Sequence, residues 1–331
     1  MTIVRMLAVV LVAAPLTAQV PERQGNKPQV ELPPVPGRLI DIGGRRLHLL
    51  CSGAGSPTVI LEAGASSFAI DWTLVQREVS RGNRTCSYDR AGMGWSDPTA
   101  TENRASSAVD LHTLLDGAGE RGPYVLVGAS RGGLLVRSYL LDYPDDVAGF
   151  VFVDPSTEDR LFTMIDGQAI AIAEVTAEQL RTTFPKQTVA VPRRRPQTGA
   201  PFDRLPSELY RVRVQLDERL IASVPDSVSA DIVAASQESE RAFLARLLET
   251  RKTQFPLGSR PTVVLTRGDE QNEGRTFAHA SLAKLSSNSR HSMVVGSGHE
   301  IHLFQPSAVI TAIADVVRSV RERTALPLRN P

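Results

Sequence analysis

Short apolar runs alternate with amphipathic segments along the first half of the chain. Three runs bounded by Pro or Gly have the length and composition of buried strands: Thr58–Glu62, Tyr124–Gly128 and Gly149–Val153. Between them, apolar residues at helical spacing predict helices at Ser107–Leu115 and Gly132–Tyr143, and Pro144 stops the second. Strands that alternate with helices in this way indicate βαβ units and a mostly parallel sheet with helices on both faces.

The sheet is predicted to open with a hairpin and to gain further strands near the end of the chain. The remaining segments with a strand pattern are Leu39–Ile42, Leu47–Leu50, Arg84–Asp89, Thr262–Thr266 and Arg290–Val295. Gly43-Gly44 supplies the positive φ angles of the tight turn between the first two. An amphipathic helix follows the last strand from about 307 to 323. The chain is therefore predicted to form an α/β fold on an eight-stranded sheet.

The strand pattern is interrupted between residues 155 and 258. Helical spacing in this interval predicts helices at about Ala177–Phe184, Ser207–Ser223 and Ala230–Thr253. The piece between 191 and 206 is rich in Pro and Arg, which favours a solvated loop. We therefore expect residues 155–258 to form an inserted helical cap on a core made of residues 37–154 and 259–326.

The N-terminal segment has the pattern of a secretory signal peptide. Arg5 precedes Met6–Leu16, an apolar stretch too short to span a bilayer. Leu16-Thr17-Ala18 gives a candidate cleavage point after Ala18, although Leu16 is less typical there than Ala. Residues 19–36 carry Pro, Gln, Glu and Lys without periodicity and are expected to be a flexible leader. A signal peptide at residues 1–18 predicts a secreted or periplasmic protein.

Composition and charge narrow the classes of partner. Of 331 residues, 42% are hydrophobic and 22% charged, and the formal net charge is +1. This balance gives no electrostatic case for nucleic acid or an anionic membrane surface. The sequence has no H-E-x-x-H, no C-x-x-C and no G-x-G-x-x-G opening a helix after the first strand, so we predict no metal and no cofactor. A small-molecule substrate is the remaining expectation, and the sequence does not predict an oligomeric state.

A serine stands at the junction of a strand pattern and a helical pattern. Gly128-Ala-Ser-Arg-Gly132 matches G-x-S-x-G, a motif whose sharp turn exposes the serine hydroxyl above the sheet. Gly128 and Gly132 keep side chains out of the tightest part of the turn, and the following helix directs its positive end at a developing oxyanion. Ser130 is therefore the predicted nucleophile. The alternative is a glycine-rich connection without chemistry.

An alcohol nucleophile needs a base that accepts its proton, and histidine is matched to neutral pH. Among the six histidines, His299 follows the last strand through Gly296-Ser-Gly298, on a loop that can reach over the sheet edge. His302, three residues later, lies at the start of an apolar stretch and is predicted to be structural. His299 is the predicted base.

A third side chain must hold the imidazole in the right tautomer and stabilise its charged form. Asp154 ends the strand Gly149–Val153, and Asp269 follows the strand Thr262–Thr266 after Arg267-Gly268. The residues alone leave both aspartates open.

Three segments carry a resemblance to the α/β-hydrolase superfamily. Tyr88–Ser96 resembles the family's loop after its fourth strand, Gly128–Gly133 its nucleophile elbow, and Gly298–Pro306 its histidine loop. The order and spacing of these segments are similar to those of the family along nearly all of the mature chain. Ala129 departs from the pattern, since many members have His there. The resemblance implies a serine hydrolase, because relatives that act on haloalkanes or epoxides carry Asp in place of Ser130.

The resemblance also implies several site details. Members place the acid after either the sixth or the seventh strand; we favour Asp154 and keep Asp269 as the alternative. The second and fourth strands are neighbours in the family, which implies a disulfide between Cys51 and Cys86. Two backbone N–H groups should form an oxyanion hole. The Arg131 N–H is one, and the other comes from the loop after the third strand, from Ala65.

The sequence therefore predicts hydrolysis of a carboxylic ester through an acyl-enzyme. Ser130 is the nucleophile, His299 the base and an aspartate the orienting acid. Hydrolysis of amide or peptide bonds, as in an aminopeptidase, and of C–C bonds remain alternatives on the same triad. A ligand-binding protein that keeps the fold without turnover is the alternative outside enzymes.

Overall fold

The computed structural model describes the chain from residue 32 to residue 327 with internal gaps. The described residues are 32–98, 106–159, 161–165, 168–176, 188–191, 194–269 and 272–327, with 178, 179 and 182. The predicted signal peptide, residues 19–31 of the predicted leader and most of the predicted helix at 177–184 lie outside them. Within these ranges, no helix combines the length and the apolar character needed to cross a membrane.

An eight-stranded sheet forms the centre of the fold. Its strands are β1 (Arg38–Asp41), β2 (Arg46–Ser52), β3 (Thr58–Glu62), β4 (Thr85–Tyr88), β5 (Tyr124–Ala129), β6 (Val147–Val153), β11 (Thr262–Gly268) and β12 (Ser289–Val295). They are ordered β1-β2-β4-β3-β5-β6-β11-β12. β2 is antiparallel to both β1 and β4, and every other pair is parallel. The predicted eight-stranded, mostly parallel sheet is confirmed.

Helices cover both faces of this sheet. The described α-helices are α1 (Thr73–Val79), α2 (Ser106–Ala118), α3 (Gly132–Asp142), α4 (Ser207–Ser223), α5 (Ala230–Thr250), α6 (Glu273–Ala283), α7 (Ile301–Phe304) and α8 (Pro306–Glu322). Side chains alternate along each strand, so Phe150 and Phe152 of β6 pack towards α2, α3 and α6. Val151 and Val153 pack towards α1 and α8. Each of these buried side chains contributes about 1.5–3 kcal/mol to stability.

The segment between β6 and β11 contains strands as well as helices. β7 (Phe162–Ile165) pairs with β8 (Gln168–Ala171), and β9 (Thr188–Ala190) pairs with β10 (Ser227–Ser229), both antiparallel. The sequence analysis identified only helices in this segment, because strands of three or four residues are too short to show a period of two. The bounds of α4 agree with the prediction, and α5 ends at Thr250, three residues before the predicted end.

A disulfide links two neighbouring strands. Cys51 of β2 and Cys86 of β4 are register partners, and their sulfurs are bonded. Among the described residues, these two sulfurs and a Glu120 carboxylate oxygen lie within 4.8 Å of one another. Disulfide sulfurs are not thiolates, so this group is not a metal site.

Removal of the disulfide is expected to lower the free energy of unfolding by about 3–4 kcal/mol, since it closes a loop with a sequence separation of 35. Urea denaturation of the Cys51→Ser/Cys86→Ser double variant measures this loss. The wild type, denatured without reductant, should yield no titratable thiol. Two titratable thiols, or equal stability of the two proteins, would contradict this prediction.

Candidate active site

Ser130 lies in a tight turn between β5 and α3. Its φ is +51°, an uncommon value for a residue other than glycine, and the residue is partly exposed. The Ser130 N–H donates to the Val153 carbonyl across 3.0 Å, and its own carbonyl accepts from the N–H groups of Gly133 at 3.0 Å and Ser156 at 2.8 Å. The surrounding backbone therefore fixes a strained turn, as is frequent where a side chain is presented for chemistry.

The glycines on either side of Ser130 are required by close backbone contacts. A Cβ at Gly128 would lie 2.6 Å from the Gly132 carbonyl carbon. A Cβ at Gly132 would lie 2.6 Å from the Glu62 carbonyl oxygen and 2.9 Å from that of Ala63. Real Cβ atoms do not approach so closely, so the turn and the end of β3 pack together only when both positions are glycine.

His299 and Asp154 meet at the same edge of the sheet. His299 Nδ1 donates to Asp154 Oδ2 across 2.5 Å. Asp154 directly follows β6, with a φ of +41°, and its backbone N–H donates to the Leu265 carbonyl at 2.8 Å. Val153, the last residue of β6, accepts the Ser130 N–H, and Asp154 is the next residue. The end of β6 therefore fixes the Ser130 turn and also carries the aspartate.

The charge state of Asp154 follows from its surroundings. Burial raises the pKa of this carboxyl, but the hydrogen bond and the charge of His299 outweigh burial. The Arg267 backbone N–H, which donates to Asp154 Oδ1 at 3.1 Å, acts in the same direction. The pKa of Asp154 therefore lies below its ordinary value, and the side chain is a carboxylate at neutral pH.

Asp269, the alternative acid, lies in another environment. Its carboxylate is 38% exposed, and Oδ1 is 3.5 Å from Arg267 Nε. Its backbone N–H donates to the Ser297 carbonyl at 3.1 Å. The structure thus brings Asp154 to His299 and places Asp269 beside Arg267.

The two residues predicted for the oxyanion hole belong to segments next to Ser130. Arg131 follows Ser130 directly and precedes α3, while Ala65 belongs to the loop after β3. A Cβ at Gly64 would lie 3.5 Å from Ser130 Cβ, which places the Gly64 backbone close to the serine. The loop and the helix start therefore meet at Ser130.

Arg90 holds the loop after β3, a role that sequence reasoning missed. Its Nη1 donates to Glu62 Oε1 at 2.5 Å and to the Ala63 carbonyl at 2.8 Å. Its Nη2 donates to the Gly64 carbonyl at 2.7 Å and lies 3.4 Å from that of Ala65. One planar guanidinium thus fixes three successive carbonyls, which orients the peptide units between them.

Glu62 in turn holds Arg90. The Glu62 side chain is 1% exposed and also accepts a hydrogen bond from the Tyr88 hydroxyl. Burial raises the pKa of Tyr88 well above its ordinary value, so the hydroxyl stays protonated and donates. A signal was present in the sequence: Glu62 ends an otherwise apolar buried strand, and a buried carboxylate requires a partner.

Replacement of Arg90 by Gln is expected to lower kcat by about 10²–10³-fold with little change in KM, because the loop that is predicted to supply the Ala65 N–H to an oxyanion would lose the hydrogen bonds that orient it. Ester hydrolysis kinetics and the melting temperature separate this effect from unfolding. Arg90→Lys should recover only part of kcat, because an ammonium lacks the planar fork.

A second arginine–glutamate pair provides the control for Arg90. Arg84 pairs with Glu120 at 2.5 Å, away from the elbow, and Arg84→Gln should leave kcat within a few-fold of wild type. An equal loss of kcat in Arg90→Gln and Arg84→Gln would contradict the positioning role.

The Arg131 side chain ties the elbow to α5. Its Nη1 and Nη2 donate to the two carboxylate oxygens of Glu240, both at 2.9 Å, and its guanidinium lies 5.9 Å from the Phe243 ring centroid. The sequence did not predict this pair either, because 109 residues separate its members. A fork-to-fork pair between largely buried side chains fixes both position and orientation.

Comparison with known proteins identifies the family. The chain matches the alpha/beta hydrolase fold family over residues 57–306. It belongs to this family. The match includes the elbow, Asp154 and the His299 loop, so the resemblance inferred from the three sequence segments is confirmed.

Two relatives illustrate how far the sequence likeness extends. Uncharacterized protein YqjL of Bacillus subtilis (strain 168) is 23% identical over 271 residues, 80% of this chain and 85% of YqjL. Probable transporter efuK of Hormonema carpetanum is 38% identical over 129 residues. That stretch covers 36% of this chain and 18% of efuK, so the likeness is confined to a small part of efuK.

Solved structures of family members share the fold. A thermophilic esterase from Thermogutta terrifontis aligns with a TM-score of 0.56 and 20% identity, over 83% of this chain and 94% of the esterase. A meta-cleavage product hydrolase from Pseudomonas fluorescens IP01 aligns with a TM-score of 0.58 and 18% identity, over 87% of this chain and 98% of that one. At these identities the likeness establishes the common α/β-hydrolase architecture.

Proposed function

We propose that this family member is a serine hydrolase that cleaves carboxylic esters through an acyl-enzyme. The observation that carries the proposal is the 2.5 Å hydrogen bond between His299 and an ionised Asp154, at the sheet edge where Ser130 occupies a strained, partly exposed turn. An imidazole oriented by a carboxylate beside an exposed hydroxyl is the arrangement that activates an alcohol as a nucleophile.

Acylation begins when Ser130 Oγ attacks the ester carbonyl carbon. His299 Nε2 accepts the hydroxyl proton, and the Asp154 carboxylate stabilises the imidazolium through Nδ1. The carbonyl oxygen becomes an oxyanion and accepts hydrogen bonds from the backbone N–H groups of Arg131 and Ala65. When the tetrahedral intermediate collapses, the C–O bond to the alcohol breaks and the alcohol takes the proton from His299.

Deacylation repeats these steps with water as the nucleophile. His299 accepts a proton from water, whose oxygen attacks the acyl carbon, and the same two N–H groups stabilise the second oxyanion. Collapse breaks the bond to Ser130 Oγ, which takes back the proton from His299. The products are a carboxylic acid and free enzyme, and these steps require only water and the chain's own groups.

Turnover of model substrates tests the bond class. We expect hydrolysis of p-nitrophenyl esters, with an acyl-chain preference revealed by a series of increasing chain length. An aminoacyl-naphthylamide and a vinylogous 1,5-diketone serve as the amide and C–C alternatives. Cleavage of either in preference to the esters would replace the ester assignment. Absence of turnover together with absence of covalent labelling by a fluorophosphonate would favour a ligand-binding protein.

We also propose that residues 155–258 act as the cap that determines the substrate. The Arg131–Glu240 pair supports this proposal, because it joins α5, which belongs to this segment, to the residue that follows Ser130. We further propose that the protein is exported to an oxidising compartment. The Cys51–Cys86 disulfide supports it, since such bonds persist in secreted and periplasmic proteins.

A further inference from the structure

Three consecutive residues after β6 are each held by a different neighbour. The Asp154 N–H donates to a carbonyl of β11 at 2.8 Å, and the Ser156 N–H donates to the Ser130 carbonyl at 2.8 Å. Between them, the Pro155 carbonyl accepts a hydrogen bond from His279 Nε2 at 2.8 Å. This segment therefore connects the acid of the proposed triad to its nucleophile, and His279 holds the middle of the segment.

His279 reaches the segment from α6, which covers one face of the sheet. Val264 of β11 and Leu282 of this helix belong to one hydrophobic cluster. Thr266 lies two residues after Val264, and His291 of β12 is the register partner of Val264, so both side chains point to the face under α6. Thr266 Oγ1 lies 2.7 Å from His279 Nδ1 and 2.7 Å from His291 Nε2. The threonine hydroxyl thus links the two histidines.

These hydrogen bonds fix the tautomer of His279. Burial lowers the pKa of its ring to about 4, so the ring is neutral at neutral pH and one nitrogen carries a hydrogen. The Pro155 carbonyl can only accept, so Nε2 carries the hydrogen and Nδ1 is an acceptor. The Thr266 hydroxyl therefore donates to His279 Nδ1, and its oxygen accepts from His291 Nε2. In this arrangement each of the three side chains donates towards the Pro155 carbonyl.

The neutral His279 ring lies close to the Asp154 side chain. His279 Nδ1 is 4.0 Å from Asp154 Oδ1, and that oxygen accepts from the Arg267 N–H at 3.1 Å. A neutral ring at this distance does not compete with the His299 imidazolium for the carboxylate. The direction of the carboxylate then depends on how the backbone at Asp154 and Pro155 is held, and a misplacement of about 1 Å can cost a large part of the rate.

We propose that His279 is a positioning residue for the triad, an inference that rests on the proposed function. Through the Pro155 carbonyl it fixes the backbone next to Asp154, and thereby the direction of the carboxylate towards the catalytic imidazole. The hydroxyl of Thr266 holds the His279 ring in the one tautomer that can donate to this carbonyl. The effect is on the orientation of the acid, so loss of these contacts should lower kcat with little change in KM.

Two threonines of β11 provide a matched test. Thr266 is 1% exposed and Thr262 is 0% exposed, and Thr262 Oγ1 donates to the Arg260 carbonyl at 2.9 Å, at the other end of the strand. Replacement by Val removes one buried hydroxyl in each case, so both melting temperatures should fall by similar amounts. We expect Thr266→Val to lower kcat for p-nitrophenyl acetate about tenfold, the scale of one buried hydrogen bond, and Thr262→Val to leave kcat unchanged.

Two further variants test the same hydrogen bonds. Thr266→Ser keeps the hydroxyl and should retain most of the wild-type kcat. His279→Leu removes the donor to the Pro155 carbonyl and should lower kcat about 10²-fold, again with little change in KM. A loss in Thr266→Ser as large as that in Thr266→Val would contradict a role for the hydroxyl.

The proton on His299 Nδ1 gives a readout that requires no turnover. A proton shared with a carboxylate across 2.5 Å resonates far downfield of other N–H protons, and its loss in His299→Ala identifies it. We expect this resonance to shift or broaden in Thr266→Val and to stay unchanged in Thr262→Val. If no ester is hydrolysed and the resonance still responds in this way, the ester assignment fails and the positioning role stands. Equal kcat losses in the two valine variants, or a resonance unchanged in Thr266→Val, would overturn the positioning role alone.

Discussion

Replacement of Ser130 by Ala is expected to lower kcat for p-nitrophenyl acetate by about 10⁶-fold, the scale of loss when the nucleophile of a serine triad is removed. Without Oγ no acyl-enzyme forms, and the remaining groups only stabilise a direct attack by water. The free energy of unfolding should change little, since Ser and Ala adopt the positive φ at a similar cost and Ser130 is partly exposed. Steady-state hydrolysis and urea denaturation of the same preparation measure both quantities.

The control for this variant is Ser80→Ala, at the end of α1 and away from the elbow, which should retain wild-type kcat. A Ser130→Ala enzyme that keeps more than about a thousandth of wild-type kcat would contradict covalent catalysis by this residue. Retained activity would mean that another nucleophile, or water itself, carries the reaction.

Replacement of Asp154 by Asn is expected to lower kcat by about 10⁴-fold, because the amide favours the wrong imidazole tautomer and cannot stabilise the imidazolium. The change is nearly isosteric, so the contact with the Arg267 N–H can persist. Asp269→Asn is the matched comparison, since Asp269 lies beside Arg267 and is 38% exposed. That variant should remain within a few-fold of wild type.

The two aspartate variants are compared by kcat at saturating p-nitrophenyl ester and by thermal melting. A large loss in Asp269→Asn with near-normal turnover in Asp154→Asn would reverse the assignment of the acid. Large losses in both, with unchanged melting temperatures, would mean that the two carboxylates share the role.

Features set by neighbouring residues were predictable from the sequence. The apolar runs that became β3, β5 and β6 are short, continuous and bounded by turn residues, so their type follows from local pattern. The Ser130 turn was predictable for the same reason, because a glycine-flanked serine between a strand and a helix has few other conformations. The bounds of α4 followed from 3.6-residue spacing and from Pro206 before it.

Features set by contacts between distant segments were not predictable. Asp154 and Asp269 both follow strands, and the choice between them depends on which strand end approaches the loop of His299. Arg90 reaches Glu62 across 28 residues, and Arg131 reaches Glu240 across 109. Such pairs leave no periodic signal, although a carboxylate in an apolar strand indicates that a cation lies nearby in the fold.

The most direct test of the account is the position of the adduct that a fluorophosphonate forms with the wild-type protein. Attack by an activated serine expels fluoride and leaves a phosphonyl group on that residue, which peptide mass spectrometry locates. We predict a single adduct on Ser130, formed rapidly in wild type and far more slowly in His299→Ala. An adduct on a different residue, or no adduct on a protein that hydrolyses esters, would contradict nucleophilic catalysis by Ser130.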